Sequence, residues 1–174
     1  YSRMEKNNKS HNESRPKTGL GIIILNQEDK VLMGKRKDCS NYGIPGGYLE
    51  RYETWSEGAS REIMEEVGVN VTADKIHSLV VYNAMNKEDN YHNIAIVLTT
   101  RINSIEQKVI NMEPHKCEGW EWWSLKDLQK RKSELFWPNK FLVDEFPQLL
   151  NIQNLSSLVD RPQSNKMQYS VINS

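Results

Sequence analysis

Residues 46–69 read GGYLERYETWSEGASREIMEEVGV, and this stretch decides the fold. Thr54 and Glu57 form the Ser/Thr-x-x-Glu pattern of a capping box, which predicts a helix that begins near Trp55. Gly68 stands where a glycine commonly ends a helix, about three and a half turns later. An apolar stripe at i, i+4 and i+8 is formed by Ala59, Ile63 and Val67. The stretch therefore predicts a glycine-bearing loop followed by an amphipathic helix.

Apolar runs on both sides of this stretch predict strands. Residues 20–25 and 31–33 flank a polar turn, which indicates a hairpin. Further elements are predicted as strands over 76–82, 93–100 and 119–123, a short helix near Ser124 and a last helix over 139–145. Strands interleaved with helices predict one α/β domain with a mixed sheet. We place this domain at residues 17–148, and we expect a disordered N-terminal tail over 1–16 and a polar C-terminal tail over 149–174.

Composition and charge limit the function classes. The 174 residues carry 23 basic and 23 acidic side chains, so the net charge of zero argues against a protein that grips nucleic acid through a basic surface. Two cysteines are too few for a disulfide framework and predict a reducing compartment. The longest uncharged apolar stretch, 19–26, is far below the roughly 20 residues of a membrane span. We therefore expect a cytoplasmic protein with no membrane partner.

The acidic residues of the predicted helix have two readings. Glu62 and Glu66 are four positions apart and Glu65 lies between them, so their like charges are neighbours on one face. Taken alone, such a cluster is usually a solvated face, here with an alternating ladder of Glu57, Arg61 and Glu65. The alternative is a Mg²⁺ site for hydrolysis of a diphosphate or triphosphate, because Mg²⁺ takes carboxylate oxygens as ligands and neutralises phosphate charge.

The full spacing separates these readings. It runs Gly47, five residues, Glu53, seven residues, Arg61-Glu62-Ile63, one residue, Glu65-Glu66, one residue, Gly68-Val69. With each of the seven fixed identities at roughly one in fifteen, a chance match at one start is on the order of one in 10⁸. The pattern resembles the signature of the Nudix hydrolases at every position. The resemblance implies a Nudix-type α/β/α sandwich with a mixed β-sheet and hydrolysis of a phosphoanhydride bond.

The resemblance also implies roles for individual residues. The implied metal ligands are Glu62, Glu65 and Glu66, with the carbonyl oxygen of Gly46. Glu53 would hold Arg61, which in turn orients the carboxylates, and Glu62 is our first choice for the general base. The implied cofactor is Mg²⁺, with Mn²⁺ as a substitute. Glu113 and Glu118 precede a predicted strand, and each is either a further metal ligand or a plain surface acid.

A further likeness outside this signature rests on residues 34–37, 90–92, 113–114, 116–122 and 135–137. With these residues, the chain over roughly 18–147 resembles the MutT-like branch, and most of all the mammalian nucleoside triphosphate diphosphatases that act on thiopurine and other guanine-type nucleotides. Those relatives release a monophosphate and pyrophosphate and are homodimers. The substrate-binding residues implied by this likeness are Arg36, Ile44, Gly47, Phe136 and Trp137. Core packing is the alternative role for the aromatic residues. The chain departs from these relatives at Tyr48, Ala95 and Pro138-Asn139, so its base pocket differs from theirs.

Two other functions stay open at this point. The first keeps the chemistry and changes the substrate to ADP-ribose, a dinucleoside polyphosphate or capped RNA, although the missing basic stripe weighs against RNA. The second is a nucleotide-binding module without catalysis, which an intact signature disfavours. The leading hypothesis is a Mg²⁺-dependent diphosphatase of nucleoside triphosphates, including oxidised or modified purine nucleotides.

Overall fold

The computed structural model describes residues 15–88 and 90–160. The N-terminal tail expected over 1–16 therefore lies almost wholly outside the described residues, as does 161–174 of the expected C-terminal tail. The strands are β1 (Lys17–Leu25), β2 (Val31–Arg36), β3 (Tyr42–Gly43), β4 (His77–Asn86), β5 (Tyr91–Arg101) and β6 (Cys117–Trp123). The helices are α1 (Trp55–Val67), α2 (Leu125–Lys130), α3 (Trp137–Glu145) and α4 (Ile152–Val159), with 3-10 turns at Ala73–Lys75 and Lys132–Glu134.

The strands form one mixed sheet in the order β3-β2-β1-β5-β4, with β6 also paired to β2. β1 is parallel to β5 along its whole length, whereas β4 is antiparallel to β5. β1 and β2 meet as a pair at Leu25 and Val31, and β2 then pairs with β3 and β6. The mixed sheet predicted from the sequence is confirmed.

The loop of residues 44–47, called the glycine loop from here on, fills the gap that opens between β1 and β2. The N–H of Leu20 donates to the carbonyl of Gly47 over 2.7 Å, and that of Ile22 donates to the carbonyl of Pro45 over 2.8 Å. These bonds pair backbone N–H groups of β1 that β2 no longer reaches, as strand pairing would. Residues 48–54 connect this loop to α1, whose apolar face packs on β1.

Alternating side chains of β1 separate two apolar layers. Ile22 and Ile24 pack with Ala59, Ile63 and Val67 of α1, whereas Ile23 and Leu25 face a second core with Leu142 of α3. This alternation follows from the period of two along a strand. Helices therefore cover both faces of the sheet, and the α/β/α arrangement expected from the sequence is confirmed. No helix in the two described ranges combines the length and the apolar character needed to cross a membrane.

Packed residues continue past residue 148, where the sequence predicts a polar C-terminal tail. Residues 152–159 form α4, whose Leu155 is completely buried in the core on the α3 side, and Leu150 is buried beside it. Arg101 of β5 donates to the hydroxyl of Ser156 over 2.8 Å and ties the helix to the sheet. Ile152, Leu155 and Val159 stand at i, i+3 and i+7, which is a helical spacing, and Asn151 caps the helix by accepting from the N–H of Asn154. The expectation of a polar tail overlooked this short pattern.

We expect Leu155→Ala to destabilise the protein by about 2–4 kcal/mol, because it removes a fully buried side chain and leaves a cavity under α4. Urea unfolding measures this change. Gln153→Ala on the exposed face of the same helix is the matched control and is expected to change the free energy of unfolding by less than about 0.5 kcal/mol. Equal stabilities of the two variants would mean that α4 does not dock on the sheet.

Candidate active site

Helix α1 is fixed at both ends by the caps that its sequence predicts. The hydroxyl of Thr54 accepts from the N–H of Glu57, whose carboxylate accepts from the N–H of Thr54 over 2.8 Å. Gly68 closes the helix in the left-handed conformation, with φ of 69°. The caps set the ends of the helix, and the packing of its apolar face on β1 sets its rotation. Arg61 and Glu66 consequently reach the backbone of the loop that precedes the helix.

Arg61 connects the acidic residues of the site. Its Nε and Nη2 donate to the two oxygens of Glu53 over 2.7 and 3.1 Å, and its Nη1 donates to Glu62 over 2.8 Å and to Glu65 over 3.2 Å. Nη2 also donates to the carbonyl of Tyr48 over 3.0 Å. The guanidinium hydrogen bonds hold the pKa of Glu53 below its usual range. The structure thus brings together Glu53, Arg61, Glu62 and Glu65 as the sequence predicts.

Glu62 and Glu66 are shielded from solvent, unlike the acids of an ordinary helix face. Glu62 is 8% exposed, and burial raises the pKa of its carboxyl although Arg61 opposes the shift. Burial also raises the pKa of Glu66 to about 7, and the negative charges of Glu62 and Glu113 add to that shift. One oxygen of Glu66 accepts from the N–H of Gly46 over 2.9 Å. The solvated-face alternative fails for these two residues.

The two glycines of the loop permit this close approach. A Cβ at Gly46 would lie 2.1 Å from the carbonyl oxygen of Leu20, and φ there is 155°. A Cβ at Gly47 would lie 2.3 Å from a carboxylate oxygen of Glu62. The absence of a side chain at both positions therefore lets the loop lie against β1 on one side and against the carboxylates on the other.

The donor set fits a hard divalent cation by its chemistry. Glu62, Glu65 and Glu66 supply carboxylate oxygens, and two of these groups are desolvated, which is costly without a positive charge nearby. As the side chains stand, Glu62 is turned to Arg61 and Glu66 to the N–H of Gly46. In the described part of the chain, no three His, Cys, Asp or Glu side chains are already gathered as a metal-binding group. Ligation by these residues and by the carbonyl of Gly46 remains a prediction.

Comparison with protein families decides the assignment. The NUDIX domain profile matches residues 15–144, which is most of the chain. The chain belongs to the Nudix family.

Curated Nudix relatives match over shorter segments. A Bacillus subtilis (strain 168) protein named as a candidate 8-oxo-dGTP diphosphatase is 35% identical over 74 residues, 42% of this chain and 48% of the relative. An RNA pyrophosphohydrolase of Rickettsia bellii (strain OSU 85-389) is 39% identical over 67 residues, 37% of this chain and 42% of the relative. Each match spans less than half of the relative's length.

Solved Nudix structures share the fold. A MutT NUDIX hydrolase from Burkholderia pseudomallei superposes with a TM-score of 0.58 at 26% identity, covering 66% of this chain and 88% of that one. The NUDIX domain of NrtR from Shewanella oneidensis, complexed with ADP ribose, superposes with a TM-score of 0.63 at 16% identity, covering 79% and 90%. The second likeness is one of fold alone.

A second group of predicted residues, Arg36, Phe136 and Trp137, forms an aromatic cluster beside β3. The guanidinium of Arg36 lies 4.3 Å from the ring centroid of Phe136 and forms an ion pair with Asp38 over 2.6 Å. The ring of Trp137 meets Tyr91 edge to face with 5.0 Å between centroids. Burial raises the pKa of Tyr91, and the charge of Arg36 opposes the shift.

Asn93 and Tyr91 lie beside the predicted site residues, although the sequence did not single them out as functional. The buried amide of Asn93 donates to the hydroxyl of Tyr91 over 2.7 Å. A Cβ at Gly19 would lie 3.4 Å from that amide nitrogen and 4.0 Å from the carbonyl oxygen of Gly47, so the pair stands between the glycine loop and the aromatic cluster. The available sequence signal was an asparagine at the start of the apolar run of β5. A polar side chain in a buried strand needs a hydrogen-bond partner, which singles out such a position.

The remaining predicted residues lie in different environments. Ile44 packs against the core on the α3 side and is only partly buried. Glu113 forms an ion pair with Lys116 over 2.8 Å and lies near enough to Glu66 to raise its pKa. Glu118 pairs with Lys35 over 2.9 Å at the surface, as a plain surface acid does. Roles in substrate or metal binding for Ile44 and Glu113 remain predictions.

Proposed function

We propose that this chain is a Mg²⁺-dependent nucleoside triphosphate diphosphatase that releases a monophosphate and pyrophosphate from nucleoside and deoxynucleoside triphosphates, including oxidised or modified purine nucleotides. The observation that carries the proposal is the position of the Asn93–Tyr91 pair. Asn93 lies beside Gly19 and the carbonyl of Gly47, the glycine that contacts Glu62, and Tyr91 contacts Trp137. One substrate therefore places its phosphates against the loop and its base against the aromatic rings.

The residues of the chain divide the chemistry between them. Arg61, held by Glu53, orients the carboxylates of Glu62 and Glu65. Glu62 accepts the proton of the attacking water as general base, and Gly46 and Gly47 let the phosphates approach the backbone. When bound by Glu62, Glu65, Glu66 and the carbonyl of Gly46, Mg²⁺, or Mn²⁺ in its place, supplies neutralisation of phosphate charge and activation of water. Arg36 contacts the triphosphate after exchanging its partner Asp38.

We expect Trp137→Ala to raise KM for dGTP by roughly five- to a hundredfold with a smaller change in kcat, because base stacking on an aromatic ring contributes about 1–3 kcal/mol. Steady-state kinetics measure this split. Trp55→Ala, on the exposed first turn of α1, is the control and leaves KM unchanged. An unchanged KM for Trp137→Ala, with lower thermal stability, would assign Trp137 to core packing instead.

The direct test is hydrolysis of a nucleotide panel by the purified chain. The panel contains dGTP, 8-oxo-dGTP, 6-thio-dGTP, dATP and ADP-ribose, each with Mg²⁺ and with EDTA, and the products are identified by chromatography. We expect metal-dependent release of monophosphate and pyrophosphate from the triphosphates. Cleavage of ADP-ribose alone would replace the proposed substrate, and silence on every compound would favour a nucleotide-binding module without catalysis.

RNA with a 5′-triphosphate is the second candidate substrate. The likeness to the Rickettsia bellii RNA pyrophosphohydrolase favours it, whereas the net charge of zero disfavours it. A 5′-triphosphorylated oligonucleotide added beside dGTP separates the two. Faster turnover of the oligonucleotide, with a steep loss of rate as salt rises, would favour RNA.

Two further expectations accompany the proposal. The likeness to homodimeric diphosphatases favours a homodimer, which sedimentation velocity tests directly. A cytoplasmic location is expected from the cysteine usage, and localisation of the tagged chain tests it. Neither expectation enters the arguments for the active site.

A further inference from the structure

Beside the glycine loop, two small residues form a bare floor on the α3 side of the sheet. Gly19 of β1 and Ala95 of β5 are partners in the parallel pairing, and both are half-buried. Ile23 and Val97, at even spacing from them, pack in the core on the α3 side, so Gly19 and Ala95 face that side as well. A Cβ at Gly19 would lie 4.0 Å from the carbonyl oxygen of Gly47. The floor therefore adjoins the glycine loop and carries nothing larger than a methyl group.

Tyr91 lies between this floor and the aromatic cluster. Its hydroxyl accepts from Nδ2 of Asn93 over 2.7 Å, and a Cβ at Gly19 would lie 3.4 Å from that nitrogen. Its ring contacts the ring of Trp137, with 5.0 Å between the centroids. The hydroxyl end of Tyr91 is therefore held toward the floor, while its ring contacts the aromatic cluster.

The hydroxyl of Tyr91 has a proton to donate. A phenol oxygen that accepts from an amide keeps its O–H for another acceptor. Among the described residues, 15–88 and 90–160, no group accepts a hydrogen bond from this hydroxyl. Burial raises its pKa, so it stays protonated at neutral pH. Asn93 thus orients a donor that the described part of the chain leaves open.

We propose that the hydroxyl of Tyr91 donates a hydrogen bond to the 3′-hydroxyl oxygen of the bound nucleotide. The inference rests on the proposed function, in which the phosphates lie against the glycine loop and the base against the aromatic rings. The sugar joins these two parts, so it lies over Gly19 and Ala95 and beside Tyr91. The 3′-hydroxyl is the sugar hydroxyl that nucleoside and deoxynucleoside triphosphates share, so one donor serves both. Tyr91 is then a specificity-determining residue, and Asn93 is a positioning residue that acts through it.

A comparison of dGMP with 2′,3′-dideoxy-GMP tests the proposal on the unmodified chain, because the two compounds differ only in the 3′-hydroxyl. Isothermal titration calorimetry of the full chain in EDTA measures both affinities without turnover. We expect the dideoxy compound to bind about three- to tenfold more weakly, as the loss of one neutral hydrogen bond predicts. Equal affinities, or no binding of dGMP, would overturn the proposal.

Tyr91→Phe tests whether this hydroxyl is the donor. The variant keeps the ring and should bind the two compounds with affinities that differ by less than about twofold. Tyr42→Phe is the matched control, because it removes a hydroxyl that donates to Glu121 over 2.9 Å, and it should keep the full preference for dGMP. An undiminished preference in Tyr91→Phe would overturn the proposal.

Asn93→Ala tests the positioning role. The variant should lower the preference for dGMP over the dideoxy compound, because the hydroxyl of Tyr91 loses the amide that orients it. A merely structural role would weaken both compounds by the same factor, and that result would overturn the assignment of Asn93.

Hydrolysis is measured separately, so that failure of this inference and failure of the proposed function are distinguishable. With Mg²⁺, kcat/KM for dGTP should exceed that for 2′,3′-dideoxy-GTP by about three- to tenfold in the unmodified chain and by less than about twofold in Tyr91→Phe. A binding preference for dGMP without turnover of dGTP would contradict the proposed reaction and support the contact of Tyr91 with the sugar. Equal turnover of dGTP and its dideoxy analogue would support the reaction and overturn the contact.

Discussion

Glu66→Gln is expected to abolish hydrolysis while making the metal-free protein more stable. We expect kcat to fall by roughly 10²–10⁴-fold, because the substitution removes a carboxylate from the proposed metal site. The stability should rise because burial raises the pKa of Glu66 to about 7, so an ionised Glu66 destabilises the folded state at neutral pH. The gain is on the order of 1–3 kcal/mol, since one unit of pKa corresponds to about 1.4 kcal/mol.

The pH dependence tests the cause of this gain. The pKa of Glu66 is raised above its value in the unfolded chain, so the wild type loses stability as the pH rises toward 7, and the glutamine variant does not. The two proteins should be equally stable near pH 4 and differ most above pH 7 in thermal melts with EDTA. Mg²⁺ should raise the melting temperature of the wild type but not of Glu66→Gln. Glu145→Gln on α3 serves as the control for a surface glutamate.

Retained activity in Glu66→Gln would remove this residue from the proposed metal site. A stability difference that persists at pH 4 would contradict burial as the cause of its raised pKa. The two readouts are independent, because catalysis is measured with Mg²⁺ and stability with EDTA.

The elements that the sequence predicts well are those with a local physical cause. Helix α1 begins at Trp55 and ends at Val67, because the capping box and Gly68 act within a few residues of themselves. The contacts of Arg61 with Glu53, Glu62 and Glu65 follow from helical spacing together with the resemblance to the Nudix signature. Sequence alone was therefore enough for the helix and for most of the ion pairs around it.

The elements that were predicted less well have different physical causes. β3 has two residues, and it exists because Gly34 and Lys35 of β2 pair with it. α3 begins at Trp137 rather than at 139, because Pro138 is accommodated in the first turn of a helix. α4 has apolar residues at i, i+3 and i+7, and the burial of Leu155 stabilises this short helix. Pairing with a distant strand therefore decides β3, whereas the start of α3 and the pattern of α4 are local features that were overlooked.

The desolvation of Glu62 and Glu66 also arises from tertiary structure. The sequence places both on one helical face, where exposure to water is the usual outcome. The glycine loop, held along β1 by the carbonyls of Pro45 and Gly47, covers them. The raised pKa values of these two carboxyl groups therefore depend on the packing of the loop against the helix. This packing predicts different effects for substitutions at Gly46 and at Gly47.

Gly46→Ala is expected to destabilise the fold by more than about 3 kcal/mol. The new Cβ would lie 2.1 Å from the carbonyl oxygen of Leu20, in a strand that cannot move away, and φ of 155° strains any L side chain. Soluble yield and urea unfolding measure the effect. Gly119→Ala is the matched control, because a Cβ at that position has nothing within 4 Å. Equal stabilities of the two alanine variants would contradict the close contact of the loop with β1.

Gly47→Ala is expected to fold and to lose activity. Its Cβ would lie 2.3 Å from a carboxylate oxygen of Glu62, which ends a flexible side chain and can rotate aside without moving the backbone. That rotation breaks the contact of Glu62 with Arg61 and displaces the proposed general base, so kcat should fall by about 10²-fold or more. The free energy of unfolding, measured on the same sample, should fall by less than in Gly46→Ala, because the lost ion pair is partly solvated and no backbone contact is broken. Full activity in Gly47→Ala would show that Glu62 need not lie against the loop for the reaction, and the general base would then have to be sought among the other acids.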